Sequence, residues 1–214
     1  MNNNQSKVLT PLPAREGSGG GSKVDIILCG VGGQGILSIA TIIGEAATQA
    51  GVNLKQAEVH GMSQRGGDVQ SNLRLSTDTI YSDLIPLGGA DLIISMEPME
   101  ALRYLPYLAP DGVVVTSNQP FVNIPDYPEA DKLAEAYSKL PHVVELDIEQ
   151  AAHEAGNARS SNMVLLGMAA PYINIIGVDQ LRQAISTVFA RKGEAVVEAN
   201  LKAFDAGVAI GQKQ

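Results

Sequence analysis

The segment VDIILCGVGGQGI, residues 24–36, joins an apolar run to a turn rich in glycine. Its first part, residues 24–28, is mostly apolar and predicts a buried strand. After the turn, apolar residues recur at helical spacing through residues 35–51, which predicts a helix. Glycine permits a sharp change of direction and a close approach of the backbone. The local structure predicted here is therefore a strand, a tight turn and a helix.

Strand-like and helical segments alternate along the rest of the chain. Further strands are predicted at residues 54–59, 69–75, 92–96, 113–116 and 143–146. A helix is predicted after the strand at residues 92–96, and it is expected to continue through Leu108. The chain after about residue 162 is predicted to be mostly helical. Residues 69–75 alternate between apolar and polar, which favours a half-solvated, antiparallel strand. The pattern predicts a single α/β domain, three-layered and Rossmann-like, with a mostly parallel sheet.

The N-terminal residues differ in composition from the rest. Residues 1–22 are polar, contain two prolines and end in GSGGGS, as a flexible tail or a linker does. Residues 118–127 also contain two prolines, which predicts an irregular surface loop. We therefore expect one folded domain over residues 23–214, with no second domain and no internal repeat.

Composition excludes several classes of function. The chain has 214 residues, 15 of them basic and 23 acidic, which gives a net charge of -8. A nucleic-acid surface would need a basic stripe, and an anionic membrane would need a basic patch. The chain has no apolar run of about 20 residues, and its N-terminus lacks the basic and apolar regions of a signal peptide. We expect a cytoplasmic protein.

Cys29 is the single cysteine of the chain. One cysteine forms no disulfide within the chain, and it cannot supply the four thiolates that an iron–sulfur cluster usually needs. Its place at the end of an apolar run favours a buried, inert thiol over a catalytic nucleophile. His142 and His153 have no partner at metal-ligand spacing, so no metal site is assigned.

The first glycine-rich segment matches the dinucleotide-binding fingerprint at Gly30, Gly32 and Gly35. Glycines at the start of a helix let a ligand approach the exposed N–H groups, and the helix dipole favours an anion there. Glu58 follows Gly35 by 23 residues, where a ribose-binding acid is expected. The alternative is that the glycines only let the helix pack closely on the sheet.

A second glycine-rich segment, HGMSQRGG at residues 60–67, is less generic. Its side chains at Ser63, Gln64 and Arg65 are donors that would clamp a carboxylate or a phosphate. The alternative is an ordered surface loop with a solvated arginine. The candidate cofactor-binding residues are Gly30, Gly32, Gly33, Gln34 and Gly35 in the first segment and Ser63, Gln64, Arg65 and Gly66 in the second. No catalytic residue is assigned.

The two segments together resemble a known family. GVGGQGI at 30–36 and EVHGMSQRGG at 58–67 are similar to the gamma-type subunits of 2-oxoacid:ferredoxin oxidoreductases, and most closely to the beta subunits of the indolepyruvate enzymes. Further similarity is found in YSDLIP at 81–86, EPMEALRY at 97–104, AGNAR at 155–159 with Asn162, and VEANLKAF at 197–204. The resemblance extends from Lys23 to the C-terminus.

The resemblance implies an accessory subunit that is inactive alone. Such complexes oxidatively decarboxylate a 2-oxoacid, here an arylpyruvate such as indolepyruvate; coenzyme A captures the acyl group and ferredoxin takes the electrons. The family places thiamine diphosphate, Mg²⁺ and the iron–sulfur clusters on a large catalytic alpha subunit. This chain also lacks the Gly-Asp-Gly stretch of the usual thiamine diphosphate site. We expect it to dock against that subunit and to shape the active site or the coenzyme A channel.

Two other functions stay open on the sequence. One is a stand-alone NAD(P)-dependent oxidoreductase that uses the first glycine-rich segment. The other is a nucleotide-binding scaffold without catalysis. The resemblance favours the accessory subunit over both, but it leaves open the exact 2-oxoacid and whether the isolated chain self-associates.

Overall fold

The computed structural model describes residues 15–16, 20–60 and 66–213. In these residues seven strands form one sheet: β1 Arg15–Glu16, β2 Ser22–Val31, β3 Asn53–His60, β4 Asp68–Ser76, β5 Ala90–Ser95, β6 Leu108–Ser117 and β7 Val143–Leu146. The α-helices described are α1 Ile36–Gln49, α2 Pro98–Arg103, α3 Ala130–Ser138, α4 Ile148–Glu154, α5 Ser161–Ala169, α6 Val178–Phe189 and α7 Glu194–Gly211.

The strand order is β3-β4-β2-β5-β6-β7, with β1 paired to the start of β2. Strands β2, β5, β6 and β7 are parallel neighbours. Strand β4 is antiparallel to both β2 and β3. The predicted mostly parallel sheet with an antiparallel strand is confirmed. After β2 the chain adds β3 and β4 toward one edge of the sheet, and then β5, β6 and β7 toward the other edge. The switch point, where the strand order changes direction, therefore lies between β2 and β5.

Helices cover both faces of this sheet. Successive side chains of a strand point to opposite faces. On β2, Ile26 and Leu28 therefore join the larger core, which includes residues from α1, α4, α5, α6 and α7. Ile27 and Cys29 join a smaller core with residues from α2 and α3. The three predicted layers are confirmed.

The helix after β5 is shorter than the sequence predicts. It was expected to continue through Leu108, but α2 ends at Arg103 and a 3-10 turn, Leu105–Tyr107, follows. Pro106 explains the end, because proline disfavours the helical conformation of the residue before it and has no N–H to donate. Strand β6 then begins at Leu108.

The polar face of β4 is covered by the chain, so the predicted half-solvated strand is wrong. Asn72 is 3% exposed, and its Oδ1 accepts a hydrogen bond from the N–H of Ile85 at 3.4 Å. Arg74 donates to the carbonyl of Leu84 at 3.1 Å and to buried Asp25 at 2.8 Å. Alternation along a strand does not reveal whether polar groups meet water or the backbone of a neighbouring segment.

Part of the expected tail belongs to the sheet. Arg15–Glu16 form β1 and pair with Lys23 and Ser22 of β2. The sheet therefore begins before Lys23, while residues 1–14 and 17–19 lie outside the described part of the chain. Among the described helices, none combines the length and the apolar character needed to cross a membrane.

Candidate functional site

The first glycine loop, residues 30–35, is shaped by one side chain within it. The N–H of Gln34 donates to the carbonyl of Val31 at 3.1 Å, which closes the turn. The side-chain Oε1 of Gln34 accepts from the N–H of Val31 at 2.7 Å, and its Nε2 donates to the carbonyl of Met96 at 3.4 Å. The amide of Gln34 therefore holds the loop and joins it to the end of β5, across the switch point.

Gly35 precedes the first residue of α1 and is in contact with α5. Its φ of 90° is one that residues with a side chain rarely adopt. A Cβ here would lie 2.7 Å from Nδ2 of Asn162, the second residue of α5. The same Nδ2 donates to the carbonyl of Gly35 at 3.3 Å. The backbone angle therefore favours glycine here, and a side chain would also displace the amide of Asn162.

The two glycine-rich segments meet, as the sequence predicts. The N–H of Gly32 donates to the carbonyl of Gly67 at 2.8 Å, and the N–H of Gly66 reaches the carbonyl of Gly32 at 3.5 Å. These bonds join the end of β2 to the residues that lead into β4. Ser63, Gln64 and Arg65 lie outside the described residues, so their predicted role stays a prediction.

A cleft of about 470 Å³ opens beside the first glycine loop. Its lining comes from the ends of β2 and β3, the first glycine loop and the starts of α1 and β4: Val31, Gly32, Gly33, Gly35, Ile36, Leu37, Glu58 and Val69. Glu58 accepts a hydrogen bond from Nε2 of Gln56 at 2.6 Å. The cleft lies outside the carboxyl ends of these strands, where ligands of open α/β sheets bind. It combines an apolar wall with one carboxylate.

A third segment, residues 118–127, borders the second glycine-rich segment. It contains neither helix nor strand, as the sequence predicts. Nδ2 of Asn123 donates to the carbonyl of Gly66 at 2.8 Å. Beside Asn123, the side chain of Val122 is 70% exposed. The edge of the sheet therefore presents three loops from distant parts of the sequence.

Cys29 is the buried thiol that the sequence favours. It is 0% exposed in the smaller core. Burial raises the pKa of the Cys29 thiol to about 12. The group is therefore protonated at neutral pH and out of contact with solvent, which favours the inert thiol over the nucleophile.

Sequence reasoning assigned no role to two residues that shape this edge. Asn162 was noted only for its resemblance to the family, and nothing in its sequence context predicts the contact with Gly35. Glu97 accepts a hydrogen bond from the N–H of Glu100 at 2.8 Å and so caps α2. The pair Glu97-Pro98 carries a signal, because proline is frequent at the first position of a helix.

Comparison with known proteins identifies the family. The model of the pyruvate ferredoxin/flavodoxin oxidoreductase family matches residues 25–210. The chain belongs to this family. Indolepyruvate oxidoreductase subunit IorB of Archaeoglobus fulgidus is 35% identical over 193 residues, which cover 86% of this chain and 94% of that subunit. The resemblance stated from the sequence is confirmed.

Solved structures of the same class share the fold of this family member. A 2-oxoglutarate:ferredoxin oxidoreductase from Magnetococcus marinus, with 2-oxoglutarate, coenzyme A and succinyl-CoA bound, is 25% identical with a TM-score of 0.71. The match covers 90% of this chain and 31% of that one. The gamma subunit of a keto/oxoacid ferredoxin oxidoreductase from Geobacter sulfurreducens, 24% identical, has a TM-score of 0.64 over 88% of this chain and 98% of that subunit.

Proposed function

We propose that this chain is the accessory subunit of a 2-oxoacid:ferredoxin oxidoreductase that acts on an arylpyruvate, with indolepyruvate as the first candidate. The observation that carries the proposal is the match to an indolepyruvate oxidoreductase subunit along 94% of that subunit's length. The match covers 86% of this chain and leaves little of that subunit unmatched. We therefore assign this chain the same small-subunit role rather than the role of a whole enzyme.

The catalytic groups belong, in this proposal, to a large partner subunit. A single cysteine cannot supply the thiolates of a cluster. Thiamine diphosphate with Mg²⁺ would stabilise the carbanion left by decarboxylation, and iron–sulfur clusters would pass the electrons to ferredoxin. What this chain supplies is a shaped edge against which the partner and coenzyme A are positioned.

The first glycine loop and Gly66 lie at one edge of the sheet, called the glycine-loop edge below. This edge fits the diphosphate of coenzyme A. At Gly33, a side chain would meet no atom within 4 Å, so the backbone is open on that side. The loop leads directly into α1, whose N-terminal dipole favours a phosphate. We propose that Gly32, Gly33, Gly35 and Gly66 form this surface, with Gln34 holding its shape. Gly30, predicted from the sequence to bind as well, is buried against Gln34 and Met96, so its part is to let the loop pack closely. From the sequence, Ser63, Gln64 and Arg65 would add donors beside it.

Reconstitution tests the proposal. The full chain is co-expressed with its large partner, and ferredoxin reduction by indolepyruvate and coenzyme A is measured for each protein alone and for the pair. We expect activity only from the pair, and faster with arylpyruvates than with 2-oxoglutarate. Robust oxidation of any 2-oxoacid by the solitary chain would contradict the accessory role.

Arg65→Ala tests the edge within the reconstituted complex. Loss of a bidentate anion clamp should lower kcat/KM for coenzyme A by roughly tenfold or more while the Tm stays unchanged. Arg191→Ala is the matched control, because Arg191 is also exposed. It follows the end of α6, where Thr187 contacts Gln49 at the end of α1, so it lies far from the first glycine loop at the start of α1. Equal kinetics in both variants would remove Arg65 from the site.

The NAD(P) alternative has one observation in its favour, which is that Glu58 lines the cleft at the end of β3. A thermal-shift titration of the isolated chain separates the two. NAD binding to the folded state would raise the Tm with concentration. We expect no such rise.

A further inference from the structure

Glu97 is a buried carboxylate that holds two parts of the chain together. It is 0% exposed and lies between β5 and α2. Its Oε2 accepts from the N–H of Glu100 at 2.8 Å. Its Oε1 accepts from the N–H of Phe121 at 3.2 Å and from the hydroxyl of Tyr127. One carboxylate therefore joins the start of α2 to both ends of residues 121–127.

From this point a continuous set of hydrogen bonds leads to the glycine loops. Asn123 lies between the two residues that Glu97 holds, and its Nδ2 donates to the carbonyl of Gly66 at 2.8 Å. The adjoining residue Gly67 accepts from the N–H of Gly32 at 2.8 Å. The contact of Gly66 and Gly67 with the first glycine loop is thus linked to residues 121–127.

We infer that Glu97 and Tyr127 are positioning residues for the glycine-loop edge. They fix residues 121–127 so that Asn123 holds the carbonyl of Gly66, and this sets the spacing of Gly66 and Gly67 from the first glycine loop. The consequence for turnover rests on the proposed function, in which coenzyme A binds at that edge. Neither residue contacts the cleft beside the first glycine loop; both act through Asn123.

The contacts made by Glu97, Tyr127 and Asn123 are called the brace here. The Tyr127 hydroxyl should keep its place in the brace over the working pH range. Burial, followed by the hydrogen bond to Glu97, raises the pKa of the Tyr127 hydroxyl well above its usual value. The hydroxyl therefore remains a donor at neutral pH.

A matched control is available at the same end of α2. The hydroxyl of Tyr137 is also buried, and it donates to the carbonyl of Pro98 at 2.7 Å. It joins α3 to the first residue of α2 but makes no bond to residues 121–127 or to the glycine loops among the described contacts. Tyr137→Phe therefore removes a comparable buried hydroxyl without touching the proposed brace.

The first test uses the isolated full chain, so it does not depend on the enzyme activity. Amide hydrogen exchange at Gly32 is measured by NMR in Tyr127→Phe, Asn123→Ala and Tyr137→Phe. We expect roughly fivefold faster exchange in the first two, from the loss of one hydrogen bond, and the wild-type rate in the third. The Asn123→Ala variant, at a half-buried position in a loop, keeps the test valid if Tyr127→Phe fails to fold. Wild-type exchange in both brace variants would overturn the inference.

The second test uses the reconstituted complex. Tyr127→Phe and Asn123→Ala should each raise KM for coenzyme A severalfold at nearly constant kcat, and the double variant should resemble either single one because both act through one segment. Tyr137→Phe should match wild type. An unchanged KM in an active complex would reject the positioning role. If the wild-type complex reduces no ferredoxin, the proposed function fails, while the exchange result still decides the brace.

Discussion

At the scale of single residues, the left-handed glycines at the two ends of α1 have different tolerances. Gly35 and Gly51 have φ values of 90° and 68°. A Cβ at Gly51 would meet no atom within 4 Å, whereas one at Gly35 would lie 2.7 Å from Nδ2 of Asn162. A side chain would therefore strain the backbone at both positions. Only at Gly35 would it also collide with a neighbouring residue.

We expect Gly35→Ala to lower the free energy of unfolding by about 2 kcal/mol and Gly51→Ala by about 1 kcal/mol, because only the former also displaces the Asn162 amide and its hydrogen bond to the carbonyl of Gly35. Urea unfolding of the purified chain measures both values. In an Asn162→Ala background the clash is removed, so the two substitutions should then cost the same. A Gly35→Ala penalty that Asn162→Ala does not reduce would contradict this account.

At the scale of elements, α5 and α7 cross with their backbones in close contact. Gly167 of α5 faces Gly207 of α7, and a Cβ on either would overlap a carbonyl oxygen of the other helix. Gly211 faces Met168 in the same way. These glycines are needed for the approach of two helices rather than for a turn. The helix pair forms part of the larger core, against which α1 is also packed.

We expect Gly167→Ala to lower the free energy of unfolding by about 3 kcal/mol, although alanine is the better helix former. Gly44→Ala is the control, because Gly44 also lies inside a helix and its added Cβ would meet only the mobile end of Leu54, at 3.2 Å. That variant should be stabilised by up to about 1 kcal/mol. Denaturant unfolding of both checks the sign. A gain in stability for Gly167→Ala would show that the helices can separate at no cost.

The elements also show how far sequence reasoning reaches. Strands β2 to β7 were all predicted, because apolar runs between turn residues identify buried strands. The burial of Asn72 and the partial burial of Arg74 were not predicted. They result from hydrogen bonds to backbone groups of residues 82–85, which the periodicity of the strand does not reveal. The meeting of the two glycine-rich segments followed from the fold. The contact of Asn123 with Gly66 could not be predicted, because residues 118–127 form an irregular loop.

At the scale of the whole molecule, several titratable groups of the smaller core are held neutral by burial. The hydroxyls of Tyr104 and Tyr137 have a raised pKa for the same first cause as the thiol of Cys29. These groups lie in the layer formed by α2, α3 and one face of the sheet. Each loses its proton more readily in the unfolded chain than in the folded one, so the stability of the whole chain should decrease in alkali.

Cys29 allows a quantitative test of this alkaline sensitivity. Its thiol has a pKa of about 12 when folded, against 9.0 when solvated, so the unfolded chain releases this proton first as the pH rises. The stability it contributes is complete below pH 9 and is lost from there toward pH 12, with a loss on the order of 1 kcal/mol by pH 10. Cys29→Ala should therefore lose on the order of 1 kcal/mol less than wild type between pH 8 and pH 10. Urea unfolding with a reductant present measures both proteins, and the tyrosines, common to both, cancel in the comparison. Equal losses would mean that the thiol is not held protonated by the fold.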